Sequence, residues 1–283
     1  MIKVIKSGFY TSIQDCGRFG YGVYGVPTSG SMDSYSSQFA NAVLGNFDKS
    51  AVLEITMTGP KLQFLRPTII AISGADMSPA LNDKPIKINS IITVRENDVL
   101  SFGRLRLGLR AYIAIKGGFL SNKVLGSRSM YKGITSTNRI SNKDDLAYNS
   151  YLDVQKALNA NIKYDKSILE TDTLEVFKGP EFDRLTKEMQ TQILNSNFNV
   201  SKLNNRMAYQ LEPLFKNGLK QILTSPVLPG TVQLTPSGRL IVLMRDCQTT
   251  GGYPRILQLS NKAINILSQK TEGNCLKIRL KEF

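Results

Sequence analysis

The chain has no histidine. That single absence removes the Ser-His-Asp triad, the Cys-His pair and every His-ligated zinc site from consideration. Any proton transfer must run through Asp, Glu, Lys, Tyr or Cys. Cysteine is scarce as well: Cys16, Cys247 and Cys275 are odd in number, far apart, and form no CxxC. Such usage suits a reducing cytosol and argues against a disulfide framework. Cys16 and Cys247 each follow an aspartate, and a neighbouring carboxylate disfavours the thiolate. Both are expected to be small packing residues, and no metal site is expected. Long apolar runs are missing too: stretches such as residues 69–72 fall far short of a membrane span. Met1 leads straight into IKVIKSG, without an apolar signal core. The expectation is a cytoplasmic protein without membrane contact. No GxxxxGK[ST] occurs, and GRFGYG (17–22) fits no dinucleotide fingerprint, so a Walker-type ATP site is not expected in this chain.

What is present is a chain of 283 residues, 41% hydrophobic and 20% charged, enough to bury a substantial core. Lys plus Arg outnumber Asp plus Glu by 36 to 22, a formal charge of +14, which attracts anions. The basic residues are scattered, with no run of five and no basic helix interleaved with aromatics, so nucleic acid is not an expected partner. Short alternating stretches dominate: 61–74, 84–94, 104–118, 230–234, 238–244 and 275–280. Period two at this spacing predicts antiparallel β-structure, a barrel or a sandwich. Three helices are predicted: one capped by Asp33 and ended near Gly45, one over 181–195, and one over 260–270 capped by Ser260. Residues 127–167 are the least regular. A boundary there divides the chain into residues 1–167 and 168–283, with LEVFKGP (174–180) opening a fresh β-pattern.

Two segments concentrate chemistry. In the first, Gln14, Asp15, Arg18 and Tyr21 sit among glycines at 17, 20, 22 and 25, and Pro27, Ser29, Gly30 and Asp33 lead into the first helix. This is either a pocket for a carboxylate or phosphate beside a helix N-terminus or an ordinary capped loop with an internal ion pair. The second is RDCQTTGGYPRI (245–256). Gln248, Thr249 and Thr250 offer an amide and two hydroxyls, and Gly251 and Gly252 leave backbone N–H groups unshielded, able to polarise a carbonyl. Tyr253 and Pro254 stiffen the exit, and Asp246 is a possible base or orienting group. The alternative is a β-turn whose glycines meet conformational demands. Arg206, in NNRMAY (204–209), suits either a substrate carboxylate or a structural ion pair. Glu54, inside AVLEITMTGP (51–60), must be exposed on an edge strand, paired, or buried.

The order TSIQDCGRFGYGVYGVPTSGSMD (11–33), ANAVLGN (40–46), AVLEITMTGP (51–60), LGSRS (125–129), NNRMAYQL (204–211), PGTVQLTPSG (229–238) and DCQTTGGYPRI (246–256) resembles the family known as KipI antagonist, allophanate hydrolase subunit 2 or the C subunit of 5-oxoprolinase. It is also similar to part of the carboxyltransferase region of urea carboxylase. The resemblance covers nearly the whole chain. It implies a mainly β fold with a few helices, built as two cyclophilin-like β-barrel modules. It implies two partners, a KipI-like B-type subunit together with an A-type one, and a small carboxylate or amide substrate. The implied activity is ATP-dependent opening of 5-oxoproline to glutamate, with ATP at the level of the complex. The alternatives are biotin-dependent carboxyl transfer of the urea or allophanate type, biotin entering only there, and a non-catalytic regulator that binds a KipI-like protein. The resemblance assigns no individual catalytic roles; from the clustering of acids and hydroxyls in these segments, Asp15, Asp246 and Thr250 are the catalytic candidates. The substrate-binding candidates are Gln14, Arg18, Ser29, Asp33, Asn205, Arg206, Gln248, Thr249, Gly251, Gly252 and Tyr253. The family usually has Ser-Glu-Gly-Val where this chain has Thr224, Ser225, Pro226 and Val227, so an acid is absent there.

Overall fold

The computed structural model describes residues 1–151 and 162–282. The part of the irregular stretch that falls on 152–161 lies outside the described residues. The chain forms two compact units: Met1–Arg18 with Ser29–Leu169, and Phe19–Thr28 with Glu170–Phe283. The second unit takes in residues 19–28 of the glycine-rich block, which the sequence reading places in residues 1–167.

The first unit is built from two sheets. A six-stranded sheet runs Asp145–Leu146, Ile2–Lys6, Lys61–Phe64, Val99–Phe102, Pro79–Leu81, Lys84–Pro85; a five-stranded sheet runs Tyr10–Gln14, Val52–Thr56, Leu107–Ile115, Thr68–Asp76, Ile91–Val94. Alternation along each strand sends one row of side chains inward. Ile2, Val4, Leu62, Phe64 and Leu100 of one sheet meet Ile13, Leu53, Ile55, Ile70, Ile72 and Ile113 of the other in one core. The chain passes between the sheets at Gly8, where φ is +76° and a Cβ would stand 2.4 Å from the Thr58 carbonyl oxygen, so only glycine fits. The helix Ser34–Val43 packs on Leu107–Ile115 and Thr68–Asp76, burying Ala40 against Ala71, Tyr112 and Ala114. Asp33 caps it, accepting from Ser36 N at 3.0 Å.

The second unit is a closed barrel of seven strands in the order Thr173–Lys178, Arg255–Leu259, Thr231–Leu234, Leu240–Leu243, Ala208–Glu212, Asn197–Asn204, Cys275–Leu280. All neighbours are antiparallel except the pair that closes the ring, Thr173–Lys178 with Cys275–Leu280. Val176, Phe198, Tyr209, Leu211, Val232, Leu234, Val242, Leu257 and Leu276 are buried. The predicted barrel form is met here as a hydrogen-bonded ring. In the first unit it appears as two sheets around a shared core, because no ladder joins them among the described residues.

The helix expected over 181–195 is broken. A single 3₁₀ turn, Phe182–Arg184, precedes the helix Lys187–Asn195. The first turn ends at Leu185, which is extended, and Thr186, also extended, caps the second piece through Met189 N at 3.3 Å. The helix Asn261–Ser268 starts where expected, with Ser260 accepting from Ala263 N.

Candidate functional site

In the first unit the candidates from the glycine-rich block are held by a tight hydrogen-bond network. Asp15 Oδ1 accepts from Ser127 Oγ (2.6 Å), Ser129 Oγ (2.7 Å) and Gly17 N (2.8 Å), and Oδ2 accepts from Arg128 N (2.6 Å). Both carboxylate oxygens are thus engaged by LGSRS, a motif whose serines carry no evident role in the sequence alone. Arg18 is buried, and its guanidinium donates to the Ser129 carbonyl. Gln14 Nε2 donates to Ser12 Oγ and the Met130 carbonyl. Ser29 is buried at φ +57°, its hydroxyl without a partner among the described residues.

Glu54 settles differently from an edge-strand residue. Its strand, Val52–Thr56, lies between Tyr10–Gln14 and Leu107–Ile115, so the side chain is buried. Oε2 accepts from Met32 N at 2.7 Å and from the Tyr112 hydroxyl at 2.9 Å, while that hydroxyl accepts from Asp33 N at 2.8 Å. Burial, and then the nearby Glu54 charge, push the Tyr112 phenol well above its ordinary range. Ser36 Oγ extends the network, donating to Asp33 Oδ2 and lying 2.6 Å from the Tyr164 hydroxyl. The result is a polar seam that fixes the entry of the helix Ser34–Val43.

In the second unit a cavity of about 610 Å³ is lined by Gly20, Gly22, Val23, Gly25, Val26, Pro27 and Thr28, by Pro226 to Pro229, and by Cys247, Gln248, Thr249 and Thr250. Two segments far apart in sequence, 20–28 and 247–250, thus form one wall system within this unit. The cavity carries no carboxylate and no cation on its walls. Val23, Val26, Pro27, Val227, Leu228 and the prolines give it apolar sides; Gln248, Thr249, Thr250 and Thr28 give it a polar edge. The wall is stitched together by Thr250–Gly251 pairing with Ser225–Pro226, by Val227 N donating to the Thr249 carbonyl (3.0 Å) and by Ile222 N donating to the Gly252 carbonyl (3.0 Å). Tyr253, half-buried, follows this turn.

The charged members of the second cluster stand at the base of that wall. Arg206 Nε and Nη2 bind Asp246 Oδ2 (2.7 Å) and Oδ1 (3.0 Å), with both side chains nearly buried. Asp246 N donates to the Arg206 carbonyl, and exposed Asn205 turns its Oδ1 to Met207 N and Ala208 N. Of the two readings open for Arg206, the structure has the ion pair. Gly251 has a steric reason to be glycine: a Cβ there would stand 2.4 Å from Gln233 Nε2. Gln233 is buried on the barrel strand behind the wall, and its Nε2 has no partner among the described residues. Cys247 lines the cavity, and burial together with the Asp246 charge pushes its thiol up to about 12. No group of three or more Cys, Asp or Glu arranged to hold a metal occurs among the described residues.

Of the site residues expected from the sequence, Gln248, Thr249 and Thr250 line this cavity, whereas Gln14, Asp15, Arg18, Ser29, Asp33, Asn205, Arg206, Asp246, Gly251, Gly252 and Tyr253 are not among its lining residues. Sequence reasoning did not find Gln233, whose amide lies on an alternating strand, or the Pro226–Pro229 wall. Neither has a local signal that separates it from an ordinary strand or turn.

A family model described as "Carboxyltransferase domain, subdomain A and B" matches residues 24–280. The chain is 31% identical over 262 residues to the C subunit of 5-oxoprolinase from Escherichia coli, a match that covers 90% of this chain and 83% of that protein. It is 48% identical over 130 residues to "Urea amidolyase" of Lachancea kluyveri, 46% of this chain but 7% of that protein. The crystal structure of the K. lactis urea amidolyase superposes with a TM-score of 0.88 at 31% identity, over 98% of this chain and 18% of the larger one.

Proposed function

Because the chain belongs to the family of the carboxyltransferase domain, subdomains A and B, we propose that it is the C-type subunit of an ATP-dependent 5-oxoprolinase-like complex. In this reading it opens 5-oxoproline to glutamate together with A and B subunits. The E. coli relative, matched over most of both chains and named for the same enzyme, supports this reading. The observation that carries it is the character of the cavity in the second unit. A small lactam has two apolar ring methylenes and one amide edge. The walls offer Val23, Val26, Val227 and Leu228 to the first, and Gln248, Thr249 and Thr250 to the second.

The polar roles follow from placement. Gln248, Thr249 and Thr250 orient the ring amide, and Gly251, which pairs with Ser225, and Gly252 after it shape the turn that presents them. Arg206 and Asp246 hold the base of the loop, so their contribution is to position it. Asp15, Gln14, Arg18, Ser29 and Asp33 order the flanks of the glycine-rich block within the first unit. In the reaction, water adds to the lactam carbonyl carbon and the ring C–N bond breaks. The leaving nitrogen takes up the proton the water gives up. ATP supplies the driving force at the level of the complex, since this chain has no phosphate loop.

Reconstitution of this chain with its A and B subunits tests the reading through ATP-dependent glutamate release from 5-oxoproline. Thr250→Val and Gln248→Leu are expected to lower kcat/KM by about tenfold or more each. Wild-type turnover in both variants overturns the site. A second reading, carboxyl transfer from carboxybiotin to urea, is favoured by the 48% identity to a urea amidolyase segment. Carrier and carboxylase would then lie in other chains or domains, and a carboxybiotin-dependent assay on the same preparation separates the two. A complex that binds a KipI-like protein yet turns over neither substrate would mark the chain as a non-catalytic regulator.

A further inference from the structure

A second cavity, in the first unit, shares no residue with the one just described. It measures about 410 Å³ and is lined by Ser7, Gly8, Phe9, Thr11, Arg139, Ile140, Ser141 and Asn142. Two of its acceptors are already used: Asn142 Oδ1 accepts from Ser7 N (2.9 Å), and the Ser7 carbonyl accepts from Thr11 Oγ1 (2.7 Å). The donors are not. The Arg139 guanidinium makes no ion pair or hydrogen bond among the described residues, and the hydroxyls of Ser7 and Ser141 and the Asn142 amide nitrogen are likewise unengaged there. No carboxylate lines the cavity. The nearest acid in sequence, Asp144, is turned to Ser141 N at 2.8 Å. Lys6 and Lys143 flank the lining segments in sequence, within a chain of charge +14. The turn at Gly8 admits no other residue, and the Phe9 ring stands 60% exposed at the rim.

We propose that this cavity binds the phosphate group of a small phosphate-bearing molecule. A guanidinium fork with two hydroxyls and an amide N–H₂ matches the several acceptor oxygens of a tetrahedral oxyanion better than the two of a carboxylate. The exposed Phe9 ring offers a face to a planar organic group carried on that phosphate. Free phosphate and a nucleotide monophosphate share the recognised chemistry, and they differ in their use of Phe9.

The test is calorimetric titration of the full-length chain at fixed ionic strength with orthophosphate, adenosine 5′-monophosphate and adenosine. Saturable binding of phosphate or of the monophosphate is expected, weakened about tenfold or more in Arg139→Ala and several-fold in Arg139→Lys, which keeps charge but loses the fork. Because Arg139 holds nothing else in place, its variants should melt with the wild-type protein. Monophosphate binding tighter than phosphate, and lost in Phe9→Ala, identifies an organic ester; equal affinities identify inorganic phosphate. No saturable binding by the wild type, equal binding by Arg139→Ala, or adenosine binding as tightly as its monophosphate each overturns the proposal.

Discussion

Removing one member of the Arg206–Asp246 pair should be among the most damaging single changes in the second unit. The pair makes two hydrogen bonds, of 2.7 and 3.0 Å, with side chains only 8% and 9% exposed. Breaking a buried pair of this kind from one side leaves a charge without its counter-ion in a low-dielectric setting, at a cost of about 3–5 kcal/mol. Arg206→Met and Asp246→Leu are each expected to lose that much in urea unfolding, with the barrel strands followed by hydrogen exchange. The double variant Arg206→Met/Asp246→Leu leaves neither charge behind and should recover much of the loss. An internal control is at hand. Lys178 and Asp183 also form an ion pair, at 3.3 Å, but with side chains 50% and 75% exposed, and Asp183→Asn should cost less than about 1 kcal/mol. The loop base makes a second, local expectation: in the single variants the amides of 247–250 should exchange faster than the barrel strands do. If Arg206→Met costs no more than Asp183→Asn, or if the double variant is no better than the singles, the pair is not what holds the wall.

Three further outcomes follow from the same contacts. Gly251→Ala should destabilise the wall by about 1–3 kcal/mol through overpacking against the Gln233 carboxamide, and Gln233→Ala in the same chain should restore stability; no rescue in thermal melting would mean that Gly251 is glycine for another reason. Alkylation at pH 8, read by mass spectrometry, should label exposed Cys275 first and cavity-lining Cys247 last. The Cys247 thiol, raised from 9.0 to about 12 by burial and then by Asp246, also carries a pH signature. Its contribution to stability is complete below the ordinary thiol value and is lost as pH rises through the folded one, so Cys247→Ala should flatten the alkaline arm of the stability profile. Glu54→Gln should cost about 1.5–3 kcal/mol in the first unit by weakening the charge-assisted bonds from Met32 N and the Tyr112 hydroxyl, a loss read in the melting of that unit.

What could be read from the sequence was what local physics dictates. The alternation of RLRLGLRAYIAIKGG predicted the strand found as Leu107–Ile115, and Asp33 and Ser260 cap helices where their side chains can reach a free N–H. The long helix over 181–195 failed because apolar spacing alone does not register an extended Thr186 that restarts the helix. Glu54 illustrates the larger gap. A carboxylate in an apolar run reads as an outward-facing edge residue until its strand is known to be central, and centrality depends on pairing with Tyr10–Gln14 and Leu107–Ile115. The same limit applies to the acids of the candidate site. Asp15 and Asp246 look like catalytic carboxylates when read with their sequence neighbours. Their partners, Ser127 with Ser129 and Arg206, lie some 112 and 40 residues away, beyond what a local pattern carries.

With Arg206 tied to Asp246, the cavity in the second unit is walled by neutral groups. Ser225, ahead of Pro226, leaves this side uncharged as well. A cavity of that kind recognises a ring by its shape and its amide edge. A carboxylate attached to the ring would gain little from these walls, because an anion placed against apolar surface loses hydration without a compensating partner. Competition in the reconstituted complex measures this directly. A neutral lactam, 2-pyrrolidinone, is expected to inhibit with an affinity within about tenfold of that of 5-oxoproline, a difference of about 1.4 kcal/mol. Substitutions at Val227 or Leu228 should weaken both compounds alike. If the neutral lactam binds more than about a hundredfold worse, the carboxylate supplies most of the affinity, a cation outside these walls must provide it, and the assignment of substrate recognition to this cavity falls.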